Sequence, residues 1–246
     1  MHTDNTPRSS PVALVTGAGR GIGAELARTL AGDGYAVGLL GRDEKTLTAV
    51  AERLDVPTRV VQADVTVPAE ARDAVATVTD DLGPIDLLVN NAGVREQRST
   101  LPWAADADDW WHVVGVNLRG VVLMTSAVLP AMIARGSGRV VDLGSGAGQR
   151  PEPRYSAYSV SKAAALQWMH NVVAALGDDS AVRVVSASPG LVRTDMTEKM
   201  WADPAGSDAK LEFGSVDPLL RFVQRFAAGE LDHLHGQFVH TVKDGY

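Results

Sequence analysis

Short runs of β-branched and aliphatic residues alternate with stretches of helical periodicity along most of this chain. The runs predict strands at residues 12–16, 36–40, 59–63, 86–90, 139–143, 182–186 and 237–241. The periodic stretches predict helices at residues 21–33, 44–54, 68–81, 106–117, 118–134, 155–176 and 216–228. Because strands that alternate with helices form a parallel sheet covered on both faces, we expect a doubly wound α/β fold of about seven strands.

No linker rich in Pro, Gly or Ser divides this pattern, so we expect one domain over residues 11–246. The polar residues 1–10 are expected to form a disordered tail. Residues 194–214 are polar and have little periodicity. Ligands of open α/β sheets bind beyond the carboxyl ends of the strands. We therefore expect the long connections after the fifth and sixth strands to line the site.

Composition narrows the classes of function. The 246 residues carry a net charge of −7 and no basic block, which argues against a nucleic-acid surface. The absence of cysteine excludes disulfides and cysteine nucleophiles, and the histidines near the end are too loosely spaced to predict a metal site. No apolar run approaches the roughly 20 residues that span a bilayer, and the N-terminus lacks the apolar stretch of a signal peptide. We expect a cytoplasmic protein that binds no membrane.

A glycine-rich run follows the first strand and opens the first helix. Glycines at such a turn let a pyrophosphate approach the backbone, and the helix N-terminus supplies N–H donors and a favourable dipole. The spacing differs from G-x-G-x-x-G, because Ile22 stands where that pattern has its last glycine. The strand–turn–helix context nevertheless favours nucleotide binding over a structural turn. The loop residues predicted to contact the cofactor are Gly17, Gly19, Arg20, Gly21, Ile22 and Gly23.

The end of the second strand bears on the choice of cofactor. An acidic residue there usually hydrogen-bonds the adenosine ribose hydroxyls of NAD, whereas an arginine nearby binds the 2′-phosphate of NADP. Gly41-Arg42 follows Leu40, and Arg20 can reach the same region. Asp43 could take the acidic role, although we prefer it as the N-cap of the second helix. We therefore expect NADP(H) to be favoured over NAD(H).

Tyr158 and Lys162 lie four residues apart in a predicted helix, so they share one face. A free tyrosine has a pKa near ~10 and is a poor acid–base group at neutral pH. A cation held close to a tyrosine favours the phenolate, which makes such a pair a plausible proton donor or acceptor for carbonyl chemistry. Taken alone, the spacing is weak evidence, and a solvated surface pair is the favoured explanation of it.

From residue 11 to about residue 241, the chain resembles the short-chain dehydrogenase/reductase family. The glycine run matches that family's T-G-x-x-x-G-x-G, and Asn90-Asn91-Ala92-Gly93 matches its N-N-A-G turn. Ser145 lies thirteen residues before Tyr158, a spacing typical of the family's catalytic serine. The remaining matches are Asp64 after the third strand, Val116-Asn117, the Y-x-x-x-K element of Tyr158 and Lys162, and Pro189-Gly190 with Thr194.

The resemblance implies a Rossmann-type fold and a role for each matched residue. Tyr158 would exchange a proton with the substrate oxygen, and Lys162 would bias Tyr158 toward ionisation and bind the nicotinamide ribose. Ser145 would hold the substrate oxygen, and Asn117 would position a water beside Lys162. Cofactor contacts are implied for Asp64, Val65, Asn91, Ala92, Gly93, Tyr158, Lys162, Pro189, Gly190, Val192 and Thr194, in addition to Arg42 and the glycine loop.

The implied activity is hydride transfer between a nicotinamide and a ketone or secondary alcohol, with the reductive direction favoured. The alternatives are an NAD-dependent alcohol or sugar dehydrogenase of the same family and a regulator that binds NADP without chemistry. A homo-oligomer, a dimer or tetramer packed through residues 106–134 and the Tyr158 helix, is also implied. Two departures from the family pattern are Gly144, where many relatives have serine, and the C-terminal residues 241–246.

The sequence leaves the substrate open. Arg95, Arg150 and Arg154 follow motif positions and could bind an anionic group, although ordinary surface solvation is the favoured explanation. Met196, Met200 and Trp201 lie in the segment expected to cover the site. An acyl or polyketide ketone, a ring ketone and a sugar-like alcohol all remain compatible with such a pocket.

Overall fold

The computed structural model describes residues 10–177, 179–201 and 213–246. The predicted tail at residues 1–10 lies outside the described residues, except for Ser10. Within the described part, seven parallel strands form one sheet in the order β3-β2-β1-β4-β5-β6-β7. The strands are β1 Val12–Thr16, β2 Ala36–Gly41, β3 Thr58–Gln62, β4 Ile85–Asn90, β5 Gly138–Leu143, β6 Val182–Ser188 and β7 Phe238–His240. The predicted doubly wound parallel sheet is therefore confirmed.

Helices cover both faces of this sheet. Those of the described part are α1 Gly21–Gly32, α2 Glu44–Ala51, α3 Pro68–Leu82, α4 Ala107–Val114, α5 Gly120–Arg135, α6 Ser156–Leu176, α7 Asp195–Trp201 and α8 Asp217–Ala227. The strand order reverses between β1 and β4, each of which is followed by a crossover in the opposite direction. That reversal opens a crevice at the carboxyl ends of β1 and β4, which is where open α/β sheets bind ligands.

Two apolar layers hold the helices on the sheet, because successive side chains of each strand point to opposite faces. On β5, Val141 belongs to the layer that contains Phe222 and Phe226 of α8. Its neighbour Val140 belongs to the layer that contains Met124 of α5. All of these side chains are fully buried. The result is a rigid platform whose strand ends carry the loops described below.

The region predicted as two helices, residues 106–117 and 118–134, is one continuous helical segment from Ala107 to Arg135. The prediction of a break was wrong because the interruption is a π-helical turn, Gly115–Arg119, that joins α4 directly to α5. Such single wide turns insert an extra residue into a helix and occur often at functional sites. Here the wide turn contains Asn117, which is fully buried.

The segment at residues 194–214, which shows little periodicity in sequence, begins with a short helix, α7 at residues 195–201. Thr194 precedes this helix, and its hydroxyl accepts a hydrogen bond from the Thr197 backbone N–H at 3.3 Å. Seven residues are too few to show a clear helical period in sequence. Residues 202–212 lie outside the described residues.

By length and composition alone, the segment from Ala107 to Arg135 could cross a membrane. Half of its most apolar window is buried inside the fold. Val121, Met124, Val128 and Met132 of α5 pack in the apolar layer on one face of the sheet. The segment is therefore a core helix of this domain.

Candidate active site

The glycine run forms a tight loop between β1 and α1. Gly17 and Gly21 have φ angles of +64° and +54°, which favour glycine. A Cβ atom on Gly23 would collide with the Gly17 carbonyl oxygen, and one on Gly19 would lie 2.5 Å from the Thr46 hydroxyl. The loop therefore has no room for side chains at Gly19 and Gly23.

The first turn of α1 suits an anion. No side chain caps the helix at Arg20, and no acidic residue lies in the first turn. The backbone N–H groups at a helix start have no partner within the helix, and the helix dipole favours negative charge there. The residues present therefore fit the pyrophosphate of a dinucleotide.

The N-N-A-G turn after β4 is fastened to the glycine loop. The Asn91 amide donates to the Thr16 and Gly17 carbonyl oxygens at 2.8 and 3.1 Å. The backbone N–H groups of Asn91 and Ala92 donate to the Thr16 hydroxyl at 3.0 and 2.9 Å. The Asn91 side chain thus stabilises the conformation of the glycine loop. The sequence motif alone does not distinguish this structural role from direct contact with a cofactor.

At the adenosine end, the structure separates the two candidate residues after β2. Asp43 is the N-cap of α2, and its carboxylate accepts from the Lys45 and Thr46 backbone N–H groups at 3.0 and 3.4 Å. This agrees with the preferred structural reading of Asp43. Arg42 is exposed beside it. A cation therefore stands at the strand tip, while the neighbouring carboxylate is committed to the helix.

Asp64 lies beyond β3 near Arg42. Its carboxylate accepts from the backbone N–H and the hydroxyl of Thr66, both at 2.8 Å. Burial raises the pKa of Asp64, but these two bonds and the Arg42 charge outweigh burial and hold the pKa below its ordinary value. The carboxylate therefore stays ionised and acts as an acceptor at neutral pH. The adjacent Val65 is buried and packs closely on Gly120. A Cβ atom added to Gly120 would lie 2.7 Å from a methyl group of Val65.

The segment after β6 reaches back over the glycine loop. A Cβ on Gly21 would lie 3.6 Å from the Thr194 methyl carbon, which places Thr194 against the loop. Arg20 pairs with Asp195 of α7, and both side chains are largely exposed. This pairing directs Arg20 toward α7, whereas the sequence suggested that it reaches the adenosine phosphate. Pro189, Gly190 and the buried Val192 lead into the same segment.

Tyr158 and Lys162 lie on the first turns of α6. The Lys162 ammonium is 5.9 Å from the centroid of the Tyr158 ring. Lys162 is buried, and its Nζ donates to the Leu143 carbonyl oxygen at the end of β5 at 2.7 Å. A Cβ on Gly93 would lie 3.9 Å from the same nitrogen. The pair is therefore an inward-facing feature of the crevice, which excludes the alternative of an ordinary surface contact.

Asn117 ties three elements together in the interior. Its Oδ1 accepts from the Val94 backbone N–H, and its Nδ2 donates to the Val94 carbonyl oxygen, both at 2.8 Å. The same Nδ2 donates to the Ser161 hydroxyl at 2.9 Å. The π-helical turn thus aims one amide at both the loop after β4 and the helix that carries Lys162.

Ser145 caps a short 3-10 turn, Gly146–Gln149, after β5. Its hydroxyl accepts from the Ala147 backbone N–H at 3.2 Å. The turn is clamped to α6, because the Ser159 hydroxyl donates to the Ala147 carbonyl oxygen at 3.0 Å. A Cβ on Gly148 would lie 2.9 Å from the Lys162 carbonyl carbon. The serine loop is therefore held against the turn of α6 that carries Tyr158 and Lys162.

The sequence analysis missed Glu96, which holds the start of α6. This side chain is only 8% exposed. Its two carboxylate oxygens accept from the backbone N–H groups of Ala157 at 2.6 Å and Tyr158 at 3.3 Å. An acidic group there complements the helix dipole and fixes the backbone of Tyr158. The only available signal was an acid three residues after the N-N-A-G turn.

A second missed residue is Asp142, which lies between Asn90 and Ser186 in a row across β4, β5 and β6. All three are buried, and the Ser186 hydroxyl donates to Asp142 Oδ2 at 3.3 Å. Burial raises the pKa of Asp142, while the Lys162 charge and the Ser186 bond act in the opposite direction. The sequence shows that an acid lies inside a strand, but it does not show that this acid is near enough to Lys162 to be affected by its charge.

Within the described ranges, no cluster of three or more His, Asp or Glu side chains could hold a metal ion. The candidate residues supply two hydroxyls (Ser145 and Tyr158), a buried ammonium (Lys162) and an amide (Asn117). Such a set can bind, orient and protonate a carbonyl oxygen.

Comparison with known proteins agrees with the resemblance to short-chain dehydrogenases/reductases seen in the sequence. The sequence matches the family model for short chain dehydrogenase over residues 11–205. It is 38% identical over 208 residues to sulfoacetaldehyde reductase 2 of Chromohalobacter salexigens, covering 81% of this chain and 80% of that protein. It is 39% identical over 200 residues to galactitol 2-dehydrogenase (L-tagatose-forming) of Cereibacter sphaeroides, covering 78% and 75%.

Among solved structures, the fold resembles a gluconate 5-dehydrogenase from Burkholderia cenocepacia, crystallised with NADP and tartrate. The TM-score is 0.85 at 30% identity, and the match covers 95% of this chain and 94% of that one. The family match spans most of the chain, and these relatives act on alcohols or carbonyl compounds by name. The chain belongs to the short-chain dehydrogenase/reductase family and is an oxidoreductase that acts on alcohol or keto substrates.

Proposed function

We propose that this protein is an NADP-dependent oxidoreductase that interconverts a ketone and a secondary alcohol, with reduction as the favoured direction. The observation that carries the proposal is the buried Lys162 ammonium, fixed by Leu143 and facing the Tyr158 ring on one side of α6. A solvated surface pair would have neither the burial nor the backbone anchor. Asn117, Ser145 and the glycine loop complete the set around it.

In this proposal, a bound nicotinamide supplies the hydride for reduction of the carbonyl carbon. The Tyr158 hydroxyl gives a proton to the carbonyl oxygen, and the Ser145 hydroxyl donates a hydrogen bond that holds that oxygen in place. The Lys162 charge stabilises the phenolate that remains on Tyr158. Asn117 keeps α6 and the loop after β4 in register, so that these groups meet the substrate in one geometry.

The names of the relatives support an oxidoreductase of carbonyl compounds and alcohols. They leave open whether reduction or oxidation is the favoured direction. One relative is named as a reductase of an aldehyde, and another as a dehydrogenase of a sugar alcohol. The similar solved structure holds NADP. The relative named galactitol 2-dehydrogenase supports the alternative, an alcohol or sugar dehydrogenase. A non-catalytic NADP regulator is disfavoured, because all four proposed catalytic residues, Asn117, Ser145, Tyr158 and Lys162, are present.

A panel of ketones, aldehydes and secondary alcohols, followed by NADPH absorbance at neutral pH, tests the reaction class. We expect consumption of NADPH with at least one carbonyl compound, and slower reaction of the corresponding alcohol with NADP⁺. The same panel run with NADH serves as the cofactor control. Absence of turnover with every substrate and both cofactors, in a protein that binds NADPH, would favour the regulator.

The Arg42→Ala variant tests the choice of cofactor. We expect KM for NADPH to rise about ten- to a hundredfold, because a charge-assisted contact with the 2′-phosphate is lost, and KM for NADH to change little. Arg53→Ala, a substitution of an exposed arginine in the turn after α2, is the matched control. A wild-type enzyme that prefers NADH, or an unchanged KM for NADPH in Arg42→Ala, would contradict the role given to Arg42.

We also infer that the protein is a cytoplasmic homo-oligomer, a dimer or tetramer, that takes a small molecule and neither nucleic acid nor membrane. The oligomer is supported by apolar side chains on the outer faces of the helices that the family resemblance implicates. Trp111 of α4 is 65% exposed, and Val160 of α6 is 47% exposed. Burial of such side chains against a second copy would remove apolar area from water.

A further inference from the structure

Three arginines were candidates for binding an anionic substrate, and the structure separates them. Arg150 is exposed and pairs with Glu152 at 2.8 Å, and Arg154 is exposed on the same loop. Arg95 is only partly exposed. It follows Gly93 and Val94, which contact Asn117, so it lies on the wall of the crevice beside the proposed catalytic residues.

Arg95 lies between the two tyrosines at the start of α6. The central carbon of its guanidinium is 3.5 Å from the centroid of the Tyr155 ring and 5.6 Å from that of the Tyr158 ring. Stacking on an aromatic face fixes a guanidinium and keeps its N–H donors in one plane, in the fork that matches a carboxylate. The cation is therefore as close to the Tyr158 ring as the Lys162 ammonium, which is 5.9 Å from it.

Tyr155 supplies a second, independent observation. The residue is 6% exposed, and its hydroxyl is fully buried without a hydrogen-bond partner among the residues that the structure describes. An unsatisfied buried hydroxyl is unfavourable, and native proteins rarely leave one without a partner. A polar group that enters beside Arg95 would remove this cost.

Glu96 and Glu152, the two acids nearest in sequence to Arg95 and Tyr155, each have a structural contact of their own. The Glu96 oxygens accept from the backbone of α6, and Glu152 pairs with Arg150. Burial lowers the pKa of the Arg95 guanidinium, and the tyrosines and these two acids partly offset that effect. A cation removed from water gains more from a contacting anion than an exposed one, because charges attract more strongly at low dielectric.

We propose that Arg95 and the Tyr155 hydroxyl form a subsite for an anionic group of the substrate. This rests on the proposed function, since it assumes that Tyr158 binds the reacting oxygen. The substrate is then a small carbonyl compound with a carboxylate or sulfonate a few bonds from its carbonyl carbon. Arg95 binds the anion through its fork and Tyr155 donates one hydrogen bond, which orients the carbonyl toward Tyr158.

Matched substrates test this subsite. The kcat/KM for 3-oxobutanoate, its methyl ester and the sulfonate of equal length is measured in wild type, Arg95→Gln, Arg95→Lys and Tyr155→Phe. We expect Arg95→Gln to lower kcat/KM about ten- to a hundredfold for the two anions, mainly through KM, and less than threefold for the ester. Arg95→Lys should retain more activity toward the anions than Arg95→Gln. Arg154→Gln, at an exposed position of the neighbouring loop, is the control.

Equal losses on charged and neutral substrates in Arg95→Gln would show a purely structural role and overturn the proposal. No loss on either would do the same. If no substrate reacts with the wild type, the proposed function fails separately, and binding of malonate to the NADP⁺ complex by calorimetry still decides the subsite. Malonate binding that Arg95→Gln weakens at least tenfold supports the subsite. Undetectable or unchanged binding overturns it.

Discussion

The Tyr158→Phe variant is expected to lose about a thousandfold in kcat/KM, while its affinity for NADPH stays within about twofold of wild type. The substitution removes the only proposed proton donor to the substrate oxygen, and general acid–base groups contribute about 10² to 10⁴ in rate. The ring itself is retained, so the contacts of Lys162 and Arg95 with it survive. Steady-state kinetics with the best substrate of the panel gives the first quantity, and quenching of NADPH fluorescence gives the second.

Tyr35→Phe is the matched control for this loss. Tyr35 precedes β2 and packs against the apolar layer that contains α8, away from the strand ends that carry the site. We expect its kcat/KM to stay within about twofold of wild type. Retained activity in Tyr158→Phe would overturn the assignment of Tyr158, and a parallel loss of NADPH affinity would mean that the substitution disturbs the cofactor site.

The Asn117→Ala variant is expected to lose about 3 kcal/mol of unfolding free energy as well as most of its activity. The substitution deletes three hydrogen bonds of a fully buried side chain, at 2.8, 2.8 and 2.9 Å. Each is worth about 1 kcal/mol, and the buried polar groups left without a partner add to the cost. Urea unfolding followed by circular dichroism measures the stability, and kcat at saturating substrate and cofactor measures the activity.

Two further variants sharpen the interpretation of Asn117. Asn117→Asp keeps the acceptor for the Val94 N–H but replaces the donor to the Val94 carbonyl and the Ser161 hydroxyl, so it should also be destabilised. Asn171→Ala, at an exposed position on α6, should change the unfolding free energy by less than about 0.5 kcal/mol. An Asn117→Ala protein as stable as wild type would show that the π-helical turn forms without this amide.

Local patterns predicted most of the fold. The strands are short runs rich in aliphatic residues, and their positions agree with the sequence prediction within two residues at each end. The pattern failed at Gly115–Arg119, because a π-helical turn changes the helical period for one turn only and leaves the chain apolar on both sides. It failed again at α7, which is too short to display a period.

The prediction of the site was limited by contacts between segments that are distant in the sequence. Lys162 and the glycine loop can be found from spacing in the sequence because each pattern lies within one local segment, whereas Asn117 is identified only through the family resemblance. Glu96 and Tyr158 are far apart in sequence, and only the fold brings the acid onto the first turn of α6. Asp142 is visible in the sequence as an acid inside a strand, but its surroundings are not, since its neighbours Asn90 and Ser186 belong to other strands.

By itself, the sequence determined the order of strands and helices, the glycine loop and the Tyr158–Lys162 spacing, because each depends on residues close together in the chain. The tertiary structure decided that Lys162 faces inward, that Asp43 caps α2 and that Arg95 of three candidate arginines lies beside Tyr158. These distinctions depend on burial and on contacts between distant segments. Periodicity and spacing carry no information on either, because both are measured along the chain.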